Sequence, residues 1–134
     1  MNVLSLFDGM SCGQIAFDKL GVKFDGVNNK YFASEIKKHA IETTQINYPK
    51  TIQLGDVKSL DKLKLSVITG DVDLLIGGSP CQGFSYAGKG LNFDDPRSAL
   101  FFEFVQCWKI IKETNPDALF LLENVNMKQE FQDI

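Results

Sequence analysis

Val3-Leu4-Ser5-Leu6-Phe7 is a short apolar run that stops at Asp8-Gly9, and the segment Gly13 to Leu20 that follows carries Ile15, Ala16 and Leu20 at helical intervals. This is a strand, a turn and a helix. The same alternation repeats outward from it. Gly21 stops the first helix, and Asp25-Gly26-Val27-Asn28-Asn29 is turn chemistry ahead of a second strand, Tyr31-Phe32-Ala33, which ends in Ser34-Glu35. A second helix fits Ile36 to Asn47, closed by Tyr48-Pro49, and Thr51-Ile52-Gln53-Leu54 before Gly55-Asp56 reads as a third short strand. Val57 to Gly70 reads as a helical turn plus loop. Asp73-Leu74-Leu75-Ile76 before Gly77-Gly78 is apolar throughout, as a central strand of a parallel sheet should be. Ser79 to Pro96, rich in Gly, Ser, Pro and Asp, is a long loop, and long ordered loops in compact domains are usually functional. Ser98 to Thr114 gives a third helix with Leu100, Phe101, Phe104, Val105, Trp108 and Ile111 on one side. Ala118 to Leu122 is a fifth strand, ending at Glu123-Asn124-Val125. The pattern predicts an α/β fold, a parallel sheet with helices on both faces. Few residues follow Val125, so the sheet is expected to be incomplete at its C-terminal edge.

The 134 residues amount to one domain, and 44% hydrophobic with 23% charged residues excludes disorder and fibrous architectures. Fourteen basic against 17 acidic residues give a net charge of −3, so bulk charge does not equip the chain to grip phosphates. No apolar run approaches the ~20 residues of a membrane span, and an acid interrupts the apolar start, so a cytoplasmic protein with no membrane partner is expected. Cys12, Cys81 and Cys107 are odd in number, lack CxxC spacing and have only His39 beside them in the whole composition, which disfavours disulfides and any metal site. Cys107, among Phe104, Val105 and Trp108, reads as core, and His39 as a residue on a solvated helix face.

Ligands of open parallel sheets bind at the carboxyl ends of the strands. Those ends carry Asp8-Gly9, Glu35, Asp56, Pro80-Cys81 and Glu123-Asn124. Acids at successive ends, with glycines at the first turn, suggest a nucleoside-type ligand: Glu35 is spaced from Gly9 and Gly13 as an acid that meets ribose hydroxyls, and Asp56 is suited to accept from an adenine amino group. Asp8 stands where a pyrophosphate would need helix N-terminal amides, and would repel it. A cationic, phosphate-free adenosine ligand is favoured, and S-adenosylmethionine fits.

Gly77-Gly78-Ser79-Pro80-Cys81-Gln82-Gly83-Phe84-Ser85, with Phe7-Asp8-Gly9 before it and Glu123-Asn124-Val125 after it, resembles the DNA (cytosine-5) methyltransferases. Asp95-Pro96-Arg97-Ser98 with Leu100, Phe101 and Phe102 resembles the family's next block, so the similarity spans essentially the whole chain. It implies the Rossmann-like sheet of S-adenosylmethionine-dependent methyltransferases and transfer of a methyl group to C5 of cytosine in double-stranded DNA. C5 is too weak a nucleophile on its own. The family adds a thiolate to C6, which makes C5 enamine-like, and here that nucleophile is Cys81. Glu123 matches the acid that holds N3 and the exocyclic amino group, and Arg97 helps orient the base or its loop. Because the target carbon is shielded in a duplex, base flipping is implied. Phe7, Asp8, Gly9 and Gly13 match the methionine end of the cofactor site, Glu35 and Ile36 the ribose and adenine, Asp56 and Val57 the adenine edge, with Pro80 beside the cysteine. Met10, Ser11 and Cys12 depart from the more glycine-rich first motif of the family.

Stand-alone members also carry a basic segment, a target recognition domain and a C-terminal helix that completes the cofactor pocket, none of which is in residues 1–134. The chain is therefore expected to be the N-terminal part of a catalytic domain. Three readings stay open: a subunit of a split enzyme, a truncated methyltransferase, or a non-catalytic module that keeps the fold. A related branch methylates cytosine in tRNA, but its loop after the cysteine differs, which favours DNA. The biological role, restriction-modification or a solitary methylase, is not encoded here. An exposed apolar edge beyond the last strand is expected to drive self-association or partner binding.

Overall fold

The computed structural model describes residues 1–60, 72–78 and 99–123. Five strands, β1 (Asn2–Leu6), β2 (Lys30–Ser34), β3 (Ile52–Gln53), β4 (Leu74–Gly78) and β5 (Leu119–Glu123), form one sheet in the order β3-β2-β1-β4-β5. Every neighbouring pair is parallel. The helices are α1 (Cys12–Lys19), α2 (Lys38–Asn47) and α3 (Ala99–Thr114), with a 3-10 turn at Val57–Ser59. From β1 the chain winds outward to β2 and β3, then returns to build β4 and β5 on the other side. Strand order thus reverses between β1 and β4, which is where sheets of this kind hold ligands.

The apolar runs explain the centre of the sheet. Leu4 pairs with Phe32 on one side and Leu75 on the other. One face of the sheet, with Leu4, Leu6 and Leu75, packs against Phe104, Cys107 and Ile111 of α3. The opposite face, with Val3, Tyr31 and Ala33, packs against Phe17 of α1 and Phe24. Each large side chain so buried contributes ~1.5–3 kcal/mol. The core reading of Cys107 holds: the residue is buried, and burial pushes its thiol pKa up to about 12. Cys12 and His39 are both exposed.

Two boundaries and one buried face differ from the sequence reading in ways that have a physical reason. Phe7 leaves β1 because its backbone turns left-handed, at φ 56°. α2 begins at Lys38 rather than Ile36, because the Glu35 carboxylate takes the Ile36 and Lys37 amides into a turn. In α3 the buried stripe is Phe104, Cys107, Ile110 and Ile111, while Trp108 is only partly buried and packs on Phe120 with ring centroids 4.9 Å apart. The long loop read over Ser79 to Pro96, and most of Val57 to Gly70, lie outside the described residues. Among the described residues no strand pairs with the far edge of β5, and Leu119 and Leu121 are 69% and 65% exposed. No described helix is long and apolar enough to cross a membrane.

Candidate active site

Between β1 and α1 the backbone turns left-handed at alternate residues, with φ 56° at Phe7, 59° at Gly9 and 65° at Ser11. Glycine adopts this conformation freely, but for Phe and Ser it costs on the order of 1 kcal/mol each, so neighbours must impose it. They do so from two sides. The Asp8 amide donates to Ser34 O at 3.1 Å, and the Gly9 amide donates to Glu35 Oε2 at 2.8 Å. Both tie the turn to the end of β2.

Beneath the turn lies a buried polar network. The Gln14 side-chain nitrogen has two hydrogens and no lone pair, and donates to Ser11 Oγ at 2.9 Å and Thr51 Oγ1 at 2.7 Å. Ser11 Oγ, already an acceptor, donates onward to Asp8 Oδ2 at 2.7 Å. The Tyr31 hydroxyl donates to Asp8 Oδ1 at 2.9 Å. Both Asp8 oxygens are therefore acceptors at the end of a directed chain. Burial raises the Asp8 pKa; hydrogen bonds from Ser5, Ser11 and Tyr31 oppose the shift, and the Glu35 charge adds to it. Burial, with the Asp8 charge next in importance, pushes the Tyr31 phenol above its usual range, which keeps it a donor.

Above the turn opens a cleft of about 280 Å³, lined by Phe7, Gly9, Ser34, Glu35, Ile36, Lys37, Asp56, Val57, Gly78 and Leu100. Glu35 is built into its wall. Burial disfavours its charge, but the amides of Lys37, Gly9 and Ile36 outweigh this and hold its pKa below the usual value. Asp56 starts the 3-10 turn, accepting from the Lys58 amide at 2.9 Å, and is exposed. The wall therefore combines two carboxylates with apolar surface from Phe7, Val57 and Leu100, which fits a flat, uncharged heterocycle carrying hydroxyl donors.

At the far side of the cleft, Glu123 ends β5 directly opposite Gly78 of β4. Its Oε2 lies 2.5 Å from the place where a Cβ on Gly78 would stand. Only glycine leaves the carboxylate room to lean over the end of β4. Gly77 is equally constrained, since a Cβ there would stand 2.9 Å from the Leu6 carbonyl oxygen and 3.1 Å from the Phe104 ring.

Of the sequence-predicted residues, Phe7, Gly9, Glu35, Ile36, Asp56 and Val57 come together at this cleft, with Glu123 at its rim beside Gly78. Asp8 and Gly13, expected at the ligand, stand behind the wall instead. The Asp8 carboxylate is turned down into the network, and Gly13 is where α1 lies closest to the sheet: a Cβ there would meet the Tyr31 hydroxyl at 2.5 Å and Ile76 at 2.7 Å. Pro80, Cys81 and Arg97 lie outside the described residues. The sequence reading passed over Ser34, Lys37, Gly78 and Leu100 as cleft residues, and Tyr31 with Gln14 as its support. Gly78 was signalled by the glycine pair; a strand tyrosine gives no such signal. Among the described residues no group of three His, Cys, Asp or Glu side chains is placed to hold a metal ion.

The fold is an α/β Rossmann-like parallel sheet. Among solved structures it resembles the crystal structure of S. pombe Dnmt2 methyltransferase, with a TM-score of 0.57 at 20% identity over 94% of this chain and 34% of that one. A profile of the C-5 cytosine-specific DNA methylases matches residues 1–132, and the chain belongs to that family. It is 38% identical over 125 residues to the Type II methyltransferase M.NlaIV of Neisseria lactamica, covering 91% of this chain and 27% of that protein. The Type II methyltransferase M1.ScrFI of Lactococcus lactis subsp. cremoris is 49% identical over 98 residues, 72% of this chain and 23% of the relative. The orphan methyltransferase M.SPRI of Bacillus phage SPR is 39% identical over 127 residues, 93% and 26% respectively. The chain thus spans about a quarter of the length of these relatives.

Proposed function

We propose that this chain is the donor-binding and base-attacking part of a DNA cytosine-5 methyltransferase. The observation that carries the reading is the cleft that brings Gly9, Glu35, Asp56 and Gly78 together, with the Glu123 carboxylate next to Gly78 at the end of β4. The residues present fit S-adenosylmethionine: Glu35 and Asp56 offer acceptors for ribose hydroxyls and an adenine amino group, and Phe7 and Val57 offer apolar contact. When bound, that molecule supplies the methyl group.

The chain's own residues do the rest. The Cys81 thiolate adds to C6 of cytosine, and the pair of electrons released into the ring makes C5 nucleophilic. Glu123 hydrogen-bonds N3 and the exocyclic amino group, offsetting the charge that builds as the thiolate adds. Arg97 orients the base or its loop. Once C5 carries the methyl group its proton leaves, and the returning electron pair expels Cys81. Pro80 belongs to the cofactor-binding set. The net charge of −3 supports assigning DNA contacts and target recognition to sequence beyond these residues, with the chain acting in the cytoplasm on double-stranded DNA.

The same reading includes self-association. Leu119 and Leu121 of β5 stand in register with Leu74 and Ile76 of β4, and form an apolar tile that nothing in the described residues covers.

The test is a covalent trap. The chain, with S-adenosylmethionine and a duplex carrying 5-fluorocytosine, is examined by denaturing mass spectrometry alone and with the C-terminal part of a relative supplied separately. An adduct in the complemented reaction that disappears in Cys81→Ser supports the proposal. No adduct under either condition, or an adduct that survives Cys81→Ser, contradicts it.

A further inference from the structure

We propose that Tyr31 is a positioning residue for the methyl donor, acting through Asp8 on the two cleft-lining residues that flank it, Phe7 and Gly9. The inference rests on the donor-binding reading above and adds to it a residue that never touches the ligand. Three observations support it. Tyr31 is fully buried, and its ring is fixed edge-on against Phe24 at 5.1 Å, so the hydroxyl has one direction in which to point. That hydroxyl donates to Asp8 Oδ1 at 2.9 Å, across 23 residues of sequence, and α1 descends onto it where Gly13 has no side chain. Asp8 sits between Phe7 and Gly9, whose left-handed backbone forms part of the cleft wall.

The direction of the hydrogen bonds matters as much as their number. Gln14 can only donate to Ser11, Ser11 then donates to one Asp8 oxygen, and Tyr31 serves the other. The carboxylate is held at both ends, so the residues on either side of it cannot swing independently. Removing the Tyr31 hydroxyl leaves Asp8 with only the Ser5 and Ser11 donors and loosens the hold on its Oδ1. Phe7 and Gly9 are then free to relax from conformations that a non-glycine chain adopts reluctantly. Asp56 reaches the cleft from the 3-10 turn, and Glu35, though it shares the Gly9 amide, keeps its bonds to the Ile36 and Lys37 amides, so the side of the cleft they form changes less.

The experiment is equilibrium binding by calorimetry of two ligands, S-adenosylmethionine and adenosine, to the 134-residue chain and to Tyr31→Phe, with thermal unfolding followed in parallel. The expected result is that Tyr31→Phe binds S-adenosylmethionine about fivefold more weakly, the scale of one lost hydrogen bond, while adenosine affinity changes less than about twofold. A purely structural role would lower the melting temperature and weaken both ligands together. Ser11→Ala, which removes a second donor from Asp8 while leaving the packed rings of Tyr31 and Phe24 in place, should reproduce the selective loss, and it decides the matter if Tyr31→Phe does not fold. Equal effects on both ligands, or unchanged binding in both variants, overturns the positioning role alone. Failure of the unaltered chain to bind either ligand overturns the donor-binding reading, and this inference with it.

Discussion

The Gly9 amide donates to the Glu35 carboxylate at 2.8 Å, joining the turn after β1 to the end of β2 across the mouth of the cleft. The other oxygen of the same carboxylate accepts the Ile36 and Lys37 amides at 2.9 and 3.0 Å. One side chain thus shapes both walls on its side of the cleft before any ligand arrives. Glu35→Gln replaces one acceptor by an amide nitrogen that faces a backbone donor whichever way it turns. Because the group is largely solvated, the expected loss of stability is about 1 kcal/mol, read by urea unfolding.

The two acids flanking Gly9 should titrate in opposite directions. Glu35 has its pKa lowered from 4.5, so its contribution to stability is complete above 4.5 and is lost as pH falls through the lower folded value. Asp8 has its pKa raised from 3.8, so the folded chain holds that proton more tightly than the unfolded one. Its contribution therefore declines as pH rises from 3.8 through the higher folded value. Carboxyl NMR titration should find Asp8 above 3.8 and Glu35 below 4.5. Both groups titrating at their ordinary values would contradict the buried network and the amide cradle.

Gly13 is expected to be intolerant for a packing reason. Gly13→Ala drives a methyl group into the Tyr31 hydroxyl and the Ile76 side chain, and should cost ~1–3 kcal/mol in chemical denaturation. A variant as stable as the original would show that α1 can lift from the sheet without cost.

The turn after β1 was legible in the sequence because an apolar run stopping at Asp8-Gly9 ahead of a helical pattern has few other meanings. Glu35 and Asp56 followed from standing at strand ends. The support beneath them did not. Tyr31 sits in an apolar strand and reads as core, and its partner Asp8 is distant in sequence; only the pairing of Leu4 with Phe32 and of its neighbours brings the two together. Phe7 looked like the last residue of a strand, since nothing in a phenylalanine announces a positive φ. The start of α2 was misplaced because Glu35 competes for amides that a helix would otherwise use, a contest that periodicity does not record.

The exposed Leu119 and Leu121 of β5 should make the chain associate. Light scattering at high concentration is expected to give a mass above 15.0 kDa for the chain, and a return to that mass when Leu119 and Leu121 are both replaced by Lys. A clean monomer of the unaltered chain would argue against this face as a contact surface.

The central claim, that the cleft walled by Gly9, Glu35 and Asp56 receives the methyl donor, is tested most directly by calorimetric titration of S-adenosylmethionine into the 134-residue chain and into Glu35→Ala. Saturable one-to-one binding that Glu35→Ala abolishes is the predicted result. No heat at millimolar ligand, or equal binding by the variant, would contradict it.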